Sequence, residues 1–465
     1  MADKRVGVGI DFGTTNSAAA IYDGETLKLV PLEGSSPIMP SATYVDQDLT
    51  TSTGQEAIDR YIADNTGRTV ELVPEVIAET SSFVEHGDSE NPAPVETQTQ
   101  KIYGAPLTDS GLQGRLFRGT KRLLGDPSVR RLMVFEHPFR LVALITPILL
   151  RIRKALNTAG YTGVAAHLGR PVNFEGRDQY RNQTAQARLA EAFKHAGVTT
   201  QAFYAEPIAA GVSYLTAHPE LRGEYVLTVD FGGGTLDFCV LRRQGSDFSV
   251  VSTYGVGLGG DHIDQRLFRQ LLFPLLGKGE SWQRRGMDRT IETPFPFEEY
   301  EDLLVNWAVT YTLNQNKYTA PVFDRIAAGG PGAHKFARLR DMILQNLSYL
   351  VFQRLKTLKA ELSTEQSARL DIPELDIDLT LTRSEFEDLI ADLLEQFGAA
   401  LDMTLERAGL TANHIDLVLR TGGSSLIPAV RRMLDERFPE RVVEHDPFTS
   451  VAAGLAIASY RGLTA

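Results

Sequence analysis

The chain has 465 residues, of which 43% are hydrophobic, so it is long enough for two or three domains with their own cores. Its formal net charge is −12, from 59 acidic and 47 basic residues. A surface of this sign repels nucleic-acid phosphate and anionic lipid at long range, so neither is expected as a partner.

The expected compartment is the cytoplasm. The single cysteine, Cys239, cannot form an internal disulfide, and its apolar strand context predicts a buried thiol. The N-terminal segment MADKRVGVGI has too short an apolar run for a signal peptide. The most apolar stretch, Leu141 to Leu150, has about half the length of a membrane span and is interpreted as a core helix bent or started at Pro147.

The first predicted element is a hairpin in GVGIDFGTTNSAAAIYDG, Gly7 to Gly24. Apolar residues alternate up to Ile10, the strand ends near Asp11, and an apolar pattern resumes at Ala18. The tip between the strands is longer and richer in hydroxyl groups than the Asn-Gly or Asp-Gly tips that are usual in hairpins.

A second hairpin with the same plan is predicted in YVLTVDFGGGTLDFCVL, Tyr225 to Leu241. Each hairpin has a carboxylate at the end of its first strand, followed by glycine and threonine. These residues are Asp11, Gly13, Thr14 and Thr15 in the first hairpin, and Asp230, Gly232, Gly233, Gly234 and Thr235 in the second. The duplication indicates two lobes of related topology that face one another across a cleft.

The repeated tip has the composition of a site for a metal–nucleotide complex. Glycines let backbone N–H groups approach phosphate oxygens, and threonine hydroxyls add further donors. The two aspartates supply negative charge for Mg²⁺, which gives up its waters reluctantly and is expected to be held through them. One glycine-rich tip is explained equally well as a tight turn, whereas two matched copies favour the nucleotide.

A third glycine-rich element, IDLVLRTGGSSLIPAVRRML, covers Ile415 to Leu434. A strand, the run Gly422-Gly423-Ser424-Ser425 and a helix that begins near Pro428 follow one another, which is the order expected where a nucleotide meets a helix N-terminus. Taken alone, this element is explained equally well by a turn between a strand and a helix.

Together, GIDFGTTNS, YVLTVDFGGGTLDF and LVLRTGGSSLIP resemble the two phosphate motifs and the adenosine motif of the actin-like ATPase superfamily. Three further motifs resemble the seventy-kilodalton heat-shock (DnaK-type) chaperones within that superfamily. They are FRGTKRLLGD at Phe117 to Asp126, FYAEPIAAGVSYL at Phe203 to Leu215, and GLGGDHIDQRL at Gly257 to Leu267. The motifs occur in the order of the family, and the resemblance spans nearly the whole chain.

The resemblance implies an α/β, actin-like ATPase fold with two lobes of duplicated, RNase H-like mixed sheets around a nucleotide cleft. Lobe I is expected to comprise residues 1–222 and 442–465, with a subdomain inserted at about 39–131. Lobe II is expected to comprise residues 223–441, with a subdomain inserted at about 263–379. In the family, a peptide-binding domain follows a helix similar to SVAAGLAIASY. Since that helix is at Ser450 to Tyr460 here, close to the end of the chain, we expect the short YegD-type organisation without a peptide-binding domain.

The resemblance also implies the ligands, ATP or ADP with Mg²⁺. Asp11 and Asp230 would order the waters of the Mg²⁺ and belong to the catalytic set. The phosphates would be bound by Gly13, Thr14, Thr15, Gly232, Gly233, Gly234 and Thr235. Nucleotide contacts are further implied for Gly260, Gly422, Gly423 and Ser424.

The catalytic positions implied by the resemblance also include Lys121, Glu206 and Thr235. Lys121 is at the position where the family holds the attacking water and the transferred phosphoryl group, a step that is catalysed by positioning and by compensation of charge. Glu206 falls near the nucleophilic water and the metal, and Asp237 faces the phosphates. The sequence leaves open whether these carboxylates act as bases or orient water.

The purine end departs from the family pattern. The helix YLVFQRLKTLKAELS resembles the adenosine-contacting helix and assigns Lys359 and Ser363 to the ribose and the base. Four other positions differ: Lys356 and Ala360 replace a glutamate and an arginine, Leu426 replaces the arginine that stacks on adenine, and Phe448 replaces an aspartate. Because a stacked arginine contributes about 1 kcal/mol, we expect weaker ATP binding or a looser choice of base at Leu426.

Two stretches exceed what a nucleotide domain of this family requires, Arg60 to Gly114 and Phe273 to Gly332. The first contains the polar EHGDSENPAPVETQTQ, which predicts a solvated excursion, and the second contains Trp282 and Trp307. Aromatic surface is typical of partner contacts, although a local hydrophobic cluster explains the second stretch at least as well. We hypothesise that an unidentified protein partner binds these insertions.

The leading functional hypothesis is Mg-ATP binding with slow hydrolysis, which drives closure of the lobes in a chaperone-like regulator. Three alternatives remain open. They are an actin-like filament protein, a metabolite kinase or phosphatase of the same superfamily, and a nucleotide-responsive scaffold without turnover.

Overall fold

The computed structural model describes residues 5–84, 96–171, 174, 179–221, 223–245, 247–285 and 290–464. Its strands are β1 (Gly7–Phe12), β2 (Asn16–Tyr22), β3 (Leu27–Leu29), β4 (Ile38–Pro40), β5 (Ala42–Asp46), β6 (Thr51–Thr53), β7 (Leu72–Val84), β8 (Glu96–Asp109), β9 (Gly114–Arg118), β10 (Arg131–Val134), β11 (His137–Arg140), β12 (Ala165–Arg170), β13 (Thr200–Ala205), β14 (Tyr225–Phe231), β15 (Leu236–Gln244), β16 (Asp247–Val256), β17 (Ser281–Arg285), β18 (Thr290–Pro294), β19 (Ser367–Ile372), β20 (Ile377–Thr382), β21 (Leu417–Thr421) and β22 (Val442–Glu444). Its α-helices are α1 (Gln55–Asn65), α2 (Leu141–Thr158), α3 (Gln179–His195), α4 (Glu206–Ala217), α5 (Gly260–Leu267), α6 (Glu298–Leu304), α7 (Asn316–Ala328), α8 (Ala333–Leu344), α9 (Ser348–Thr364), α10 (Arg383–Leu389), α11 (Ala391–Ala408), α12 (Pro428–Arg437) and α13 (Ser450–Arg461).

Two large mixed sheets have the same topology. In the first, the order is β13-β12-β1-β2-β3, with β4 also paired to β2. In the second, the order is β16-β15-β14-β21-β22. In each sheet the first strand in chain order, β1 or β14, pairs on one side with an antiparallel run of two strands. On its other side, two parallel strands follow. The predicted α/β fold with duplicated mixed sheets is therefore confirmed.

The two-residue period of a strand decides which way the first carboxylate points. On β1, Val8, Ile10 and Phe12 are buried in the core formed with α2 and α3. Their neighbours, including Asp11, must lie on the opposite face of the sheet, which α13 covers.

Strand β14 repeats this arrangement. Leu227, Val229 and Phe231 are buried in the core of the second lobe, whereas Val226 packs towards α4. Asp230 shares the face of Val226, so the two aspartates project from the faces on which α4 and α13 pack.

Helices α4 and α13 cross between the two sheets, and glycine permits the close approach. A Cβ on Gly7 or Gly9 would overlap backbone atoms of α13, and a Cβ on Gly454 would overlap the carbonyl oxygen of Ala209 on α4. The sheets are therefore joined through a tightly packed helix pair.

The helices predicted from sequence patterns are present at almost the expected positions. The predicted Tyr349 to Ser363 helix is α9, and the predicted Ser450 to Tyr460 helix is α13. Helix α2 begins at Leu141 and continues through Pro147, so the proline does not start it. The second sheet includes β22 at residues 442–444, just beyond the expected end of lobe II at 441.

The insertions are only partly within the described residues. Strands β7 and β8 pair as a hairpin in the first insertion, and β17 and β18 pair in the second. Part of the predicted polar excursion and the side chain of Trp282 lie outside the description. None of the helices in the described part of the chain combines the length and hydrophobicity that a membrane span requires.

Candidate functional site

The tips of the two hairpins are in contact with one another. Residues 13–15 connect β1 to β2, and residues 232–235 connect β14 to β15. A Cβ on Gly233 would overlap Oγ1 of Thr15, so the backbone of the second tip approaches the first closely because Gly233 has no side chain. The structure thus brings together the two motifs that the sequence identified as a duplicated pair.

The tips form one wall of a cavity of about 1420 Å³. All of the residues that the sequence analysis assigned to metal, nucleotide or catalysis line this cavity. They are Asp11, Gly13, Thr14, Thr15, Lys121, Glu206, Asp230, Gly232, Gly233, Gly234, Thr235, Asp237, Gly260, Lys359, Ser363, Gly422, Gly423, Ser424 and Leu426.

The third glycine-rich element lies directly against the second tip. Parallel pairing of β14 with β21 sets Asp230 opposite Thr421, so the ends of both strands reach the cavity together. The hydroxyl of Ser424 donates to the carbonyl of Gly232 over 3.0 Å. Gly422 has φ of 79° and a Cβ there would lie 2.5 Å from Oδ1 of Asp230, so this position requires glycine.

Lys121 and Glu206 form an ion pair at the bottom of the cleft. Nζ of Lys121 donates to Oε1 of Glu206 over 2.7 Å, and Lys121 is only 6% exposed. Glu206 begins α4 and is followed by Pro207, which fixes the first turn of that helix. A Cβ on Gly169 would lie 3.3 Å from both Asp11 Oδ1 and Glu206 Oε1, so this glycine leaves room for the two carboxylates.

Three carboxyl groups of the site hold their protons unusually tightly. Burial, and then the charge of Glu206, raises the pKa of Asp11 to about 7. Burial and the neighbouring Asp237, Glu206 and Asp11 raise the pKa of Asp230 to about 7, and burial also raises the pKa of Asp237 to about 6. Burial opposes the charge of Lys121, but Glu206 and Asp11 outweigh it and raise the pKa of Lys121.

This charge distribution fits a hydrated cation. Four carboxylates, those of Asp11, Glu206, Asp230 and Asp237, face a single lysine, so negative charge is in excess. Within the described ranges, no group of three or more His, Cys, Asp or Glu side chains is close enough to hold a metal ion directly. The excess of carboxylate oxygens suits Mg²⁺ that keeps its waters, and the role of the two aspartates in holding it stays a prediction.

The purine end of the cavity is formed by α9, α5 and the third element. Nζ of Lys359 donates to the carbonyl of Gly260 over 2.8 Å and pairs with Asp264 at 2.5 Å. Ser363 donates its hydroxyl to the carbonyl of Lys359 over 3.1 Å, so this hydroxyl is engaged within its own helix.

Apolar side chains stand where the sequence analysis noted departures from the family pattern. Leu426 is half-buried in the cavity wall, and Phe448 is 36% exposed. The ring of Phe448 packs over Gly423, because a Cβ on that glycine would lie 3.2 Å from two ring carbons. A base bound at this end would meet aliphatic and aromatic surface rather than a guanidinium group.

The sequence analysis missed a group of charged residues across the cleft. Nη2 of Arg122 donates to Oδ2 of Asp261 over 3.0 Å, and Nζ of Lys356 lies 3.4 Å from Oδ1 of the same aspartate. The position of Arg122 directly after Lys121 was the available signal, but its partner is far away in the chain.

The second insertion contributes Trp307 to an aromatic cluster with Tyr61 of α1 and Tyr349 of α9. The ring centroids of Trp307 lie 5.7 Å from Tyr61 and 4.8 Å from Tyr349. At this residue, the local hydrophobic cluster that the sequence analysis considered is what the structure contains.

Comparison with known proteins shows similarity to Hsp70 proteins and DnaK chaperones. A family model described as Hsp70 protein matches residues 178–278 and 339–460. The chain is 25% identical over 463 residues to a chaperone protein dnaK of Cyanidioschyzon merolae, which covers 96% of this chain and 61% of that protein. It is also 25% identical over 465 residues to a chaperone protein DnaK of Thermoplasma acidophilum, and the aligned region covers 97% of this chain and 57% of that protein. The chain thus spans less than two thirds of the length of these curated relatives.

Proposed function

Because the chain belongs to the Hsp70 family, we propose that it binds Mg-ATP in the cleft between its two sheets and hydrolyses it slowly, with closure of the lobes as the output. The observation that carries this proposal is the contact between the two strand tips, at Gly233 and Thr15, in the wall of one cavity. Two matched donor-rich tips at the same cavity suit a single polyphosphate.

In this proposal each tip binds the phosphates from its own side. Gly13, Thr14 and Thr15 present backbone and hydroxyl donors from the first sheet, and the 232–235 tip does so from the second. Mg²⁺, held through water by Asp11 and Asp230, would neutralise phosphate charge and help to orient the polyphosphate.

Lys121 and Glu206 would act on the transferred group and the attacking water. Their 2.7 Å ion pair fixes both side chains, and the near-complete burial of Lys121 keeps its charge in a medium of low dielectric constant. Glu206 and Asp237 are the carboxylates available to orient a water molecule or to take its proton.

The output of closure is proposed to be a change in a surface that a protein partner contacts, and the second insertion is one candidate. Deletion of 273–332, an obvious test, would remove core side chains such as Phe273, Phe297 and Tyr300. Substitution of the exposed Phe323 on α7 is the gentler probe of that surface. The single buried cysteine fits a reducing compartment, so we propose a cytoplasmic location.

Calorimetric titration with ATP, ADP, GTP and GDP in the presence of Mg²⁺ tests the proposal. We expect adenine nucleotides to bind, and Asp230→Asn to abolish binding because it removes charge facing the cation. Asp48→Asn, at an exposed position between β5 and β6, is the matched control and should bind as the wild type does.

A phosphate-release assay beside the titrations separates the proposal from its main alternative. Binding of ATP without phosphate release would support a nucleotide-responsive scaffold, which the apolar Leu426 and Phe448 walls favour because they replace a guanidinium contact. Absence of any binding to the wild type would contradict both functions.

A further inference from the structure

Arg122 has an unusually close contact with the second strand tip. It lies in the 3-10 turn Thr120–Leu123, directly after Lys121, and lines the cavity. A Cβ on Gly234 would overlap the Nη2, Cζ and Nε atoms of Arg122. The guanidinium group of one lobe therefore rests on the tip backbone of the other, and only a glycine at position 234 permits this.

Across the cleft, Asp261 accepts a hydrogen bond from only one nitrogen atom of this guanidinium group. Nη2 donates to Oδ2 of Asp261 over 3.0 Å, with the side chains 37% and 40% exposed. An ion pair this exposed to water contributes little to stability. Its main effect is to fix the orientation of the guanidinium plane above Gly234.

One donor of Arg122 is buried without a hydrogen-bond partner in the described part of the chain. Its Nε atom is out of contact with solvent, and among the residues that the structure describes none accepts a hydrogen bond from it. A buried N–H group without an acceptor is unfavourable, and such groups in folded proteins usually have a partner. Because Nε is covered, a ligand in the cavity would meet the Nη groups of this 37% exposed side chain rather than Nε.

The charges of the neighbours support an anionic ligand here. The charge of Lys121 is balanced by Glu206 at 2.7 Å. By contrast, three cations, Arg122, Lys356 and Lys359, face only two carboxylates, those of Asp261 and Asp264. Positive charge is thus in excess beside the 232–235 tip, whereas negative charge is in excess beside Asp11 and Asp230.

We propose that Arg122 is a second cationic catalytic residue, which donates to the γ-phosphoryl group of ATP while Asp261 holds its orientation. This inference rests on the proposed function. In the reaction, the water oxygen bonds to the γ-phosphorus, the bond to the β–γ bridging oxygen breaks with its electron pair left on ADP, and the proton of the water ends on the phosphate product. Arg122 transfers no atom in this step. It compensates charge on the phosphoryl oxygens, where a planar guanidinium can offer two donors at once.

The test compares Arg122→Met and Arg122→Lys with the wild type in steady-state ATP hydrolysis. We expect the methionine variant to lower kcat by about 100-fold, the loss typical of one removed charge-stabilising donor. Arg122→Lys should recover only part of this loss, because one ammonium group cannot bond Asp261 and a phosphoryl oxygen in the same fork geometry.

Binding measurements distinguish a γ-phosphoryl contact from a general loosening of the cleft. By calorimetry, Arg122→Met should weaken a non-hydrolysable ATP analogue about tenfold, the effect of one charged hydrogen bond, while ADP affinity stays within a factor of about three. Gly234→Ala should displace the guanidinium and therefore reduce kcat as well, and adding Arg122→Met to it should cause little further loss.

Arg118→Met is the matched control. Arg118 on β9 donates to the hydroxyl of Tyr349 over 3.3 Å from the same side of the cleft, but it does not line the cavity. Its substitution should leave kcat within about twofold of the wild type, because Arg118 is outside the cavity and loses a single hydrogen bond to a hydroxyl group.

Each contrary outcome has a distinct meaning. If the wild type hydrolyses ATP and Arg122→Met has the same kcat, the assignment of Arg122 is wrong and the proposed function stands. The same holds if Arg118→Met loses as much activity as Arg122→Met. Equal weakening of ADP and the ATP analogue would also overturn it, in favour of a bridge between the lobes. A wild-type protein that binds no nucleotide would overturn the proposed function and this inference with it.

Discussion

At the scale of single residues, Asp11 and Asp230 make the stability of the protein sensitive to pH. Both have a pKa of about 7 in the folded chain, against an ordinary value of 3.8. A carboxyl whose pKa rises on folding binds its proton more tightly in the folded state. The free energy of unfolding should therefore fall as the pH rises from about 4 to about 7, because the unfolded chain ionises first.

Denaturant unfolding without metal or nucleotide checks this expectation. Asp230→Asn cannot ionise, so it should show a flatter pH profile and exceed the wild type by about 1 to 3 kcal/mol at pH 8. The exposed Asp48→Asn should follow the wild-type profile. If the slope of Asp230→Asn equalled that of the wild type, the carboxyl would not be held in its protonated form.

Lys121 is expected to matter for turnover more than for binding. Lys121→Met keeps the apolar stem but removes the charge that faces the transferred group, so hydrolysis should fall by about 100-fold or more. The matched control is Lys154→Met, at an exposed position on α2, which should hydrolyse ATP at the wild-type rate. A phosphate-release assay measures both, and unchanged turnover in Lys121→Met would remove this lysine from the catalytic set.

The residues of the site differ in how far the sequence could predict them. Asp11 and Asp230 follow from a local pattern, a strand that ends in a carboxylate and a glycine-rich tip. Arg122 and Asp261 do not, because each acquires its role only when the other lobe is packed against it. Gly169 is a similar case, because a glycine is needed there to leave room for two carboxylates, those of Asp11 on β1 and Glu206 on α4.

At the scale of elements, α9 and α13 were expected from the family resemblance, whereas the hairpins followed from local periodicity. It could not predict that α13 packs closely on β1 through Gly7 and Gly9, because this contact joins the two ends of the chain. It also could not assign the three-residue β22 to the second sheet, since so short a strand has no periodicity to detect.

Two Gly→Ala substitutions, one on α13 where it crosses α4 and one on α11, should change the free energy of unfolding in opposite directions. Alanine normally stabilises a helix interior relative to glycine, by about 0.5 to 1 kcal/mol. On α11, Gly398→Ala should do so, because its nearest new neighbour is Cε of Met433 at 3.5 Å. On α13, Gly454→Ala should instead destabilise the protein by about 1 to 3 kcal/mol, because the Cβ would overlap the carbonyl oxygen of Ala209.

Denaturant unfolding of both variants measures this difference directly. Stabilisation by Gly454→Ala would mean that α4 and α13 are farther apart in solution than in the structure. Destabilisation by Gly398→Ala would mean that α11 has less room around it than the contact with Met433 indicates.

At the scale of the whole molecule, the two insertions meet in an aromatic clasp that Tyr61 and Trp307 form with Tyr349 of α9. Tyr61 and Tyr349 also contact one another, with ring centroids 5.1 Å apart. Hydrogen bonds reinforce the clasp, since the side-chain amide of Asn346 donates to the carbonyl of Asn65 over 3.1 Å. The two insertions cannot move apart here without separating these rings.

Trp307→Ala should therefore favour the open cleft. Two aromatic pairs would be lost, each worth about 0.5 to 1.5 kcal/mol, so a bound fluorescent ADP should dissociate about tenfold faster in stopped flow. Amide hydrogen exchange in α1 should also become faster, and this readout does not depend on nucleotide binding. Phe323→Ala is the control, because Phe323 lies in the same insertion but is 46% exposed. Faster exchange in α1 with unchanged ADP dissociation would show that the clasp holds the insertions together without limiting release of the nucleotide. No change in either measurement would show that the rings contribute nothing to closure.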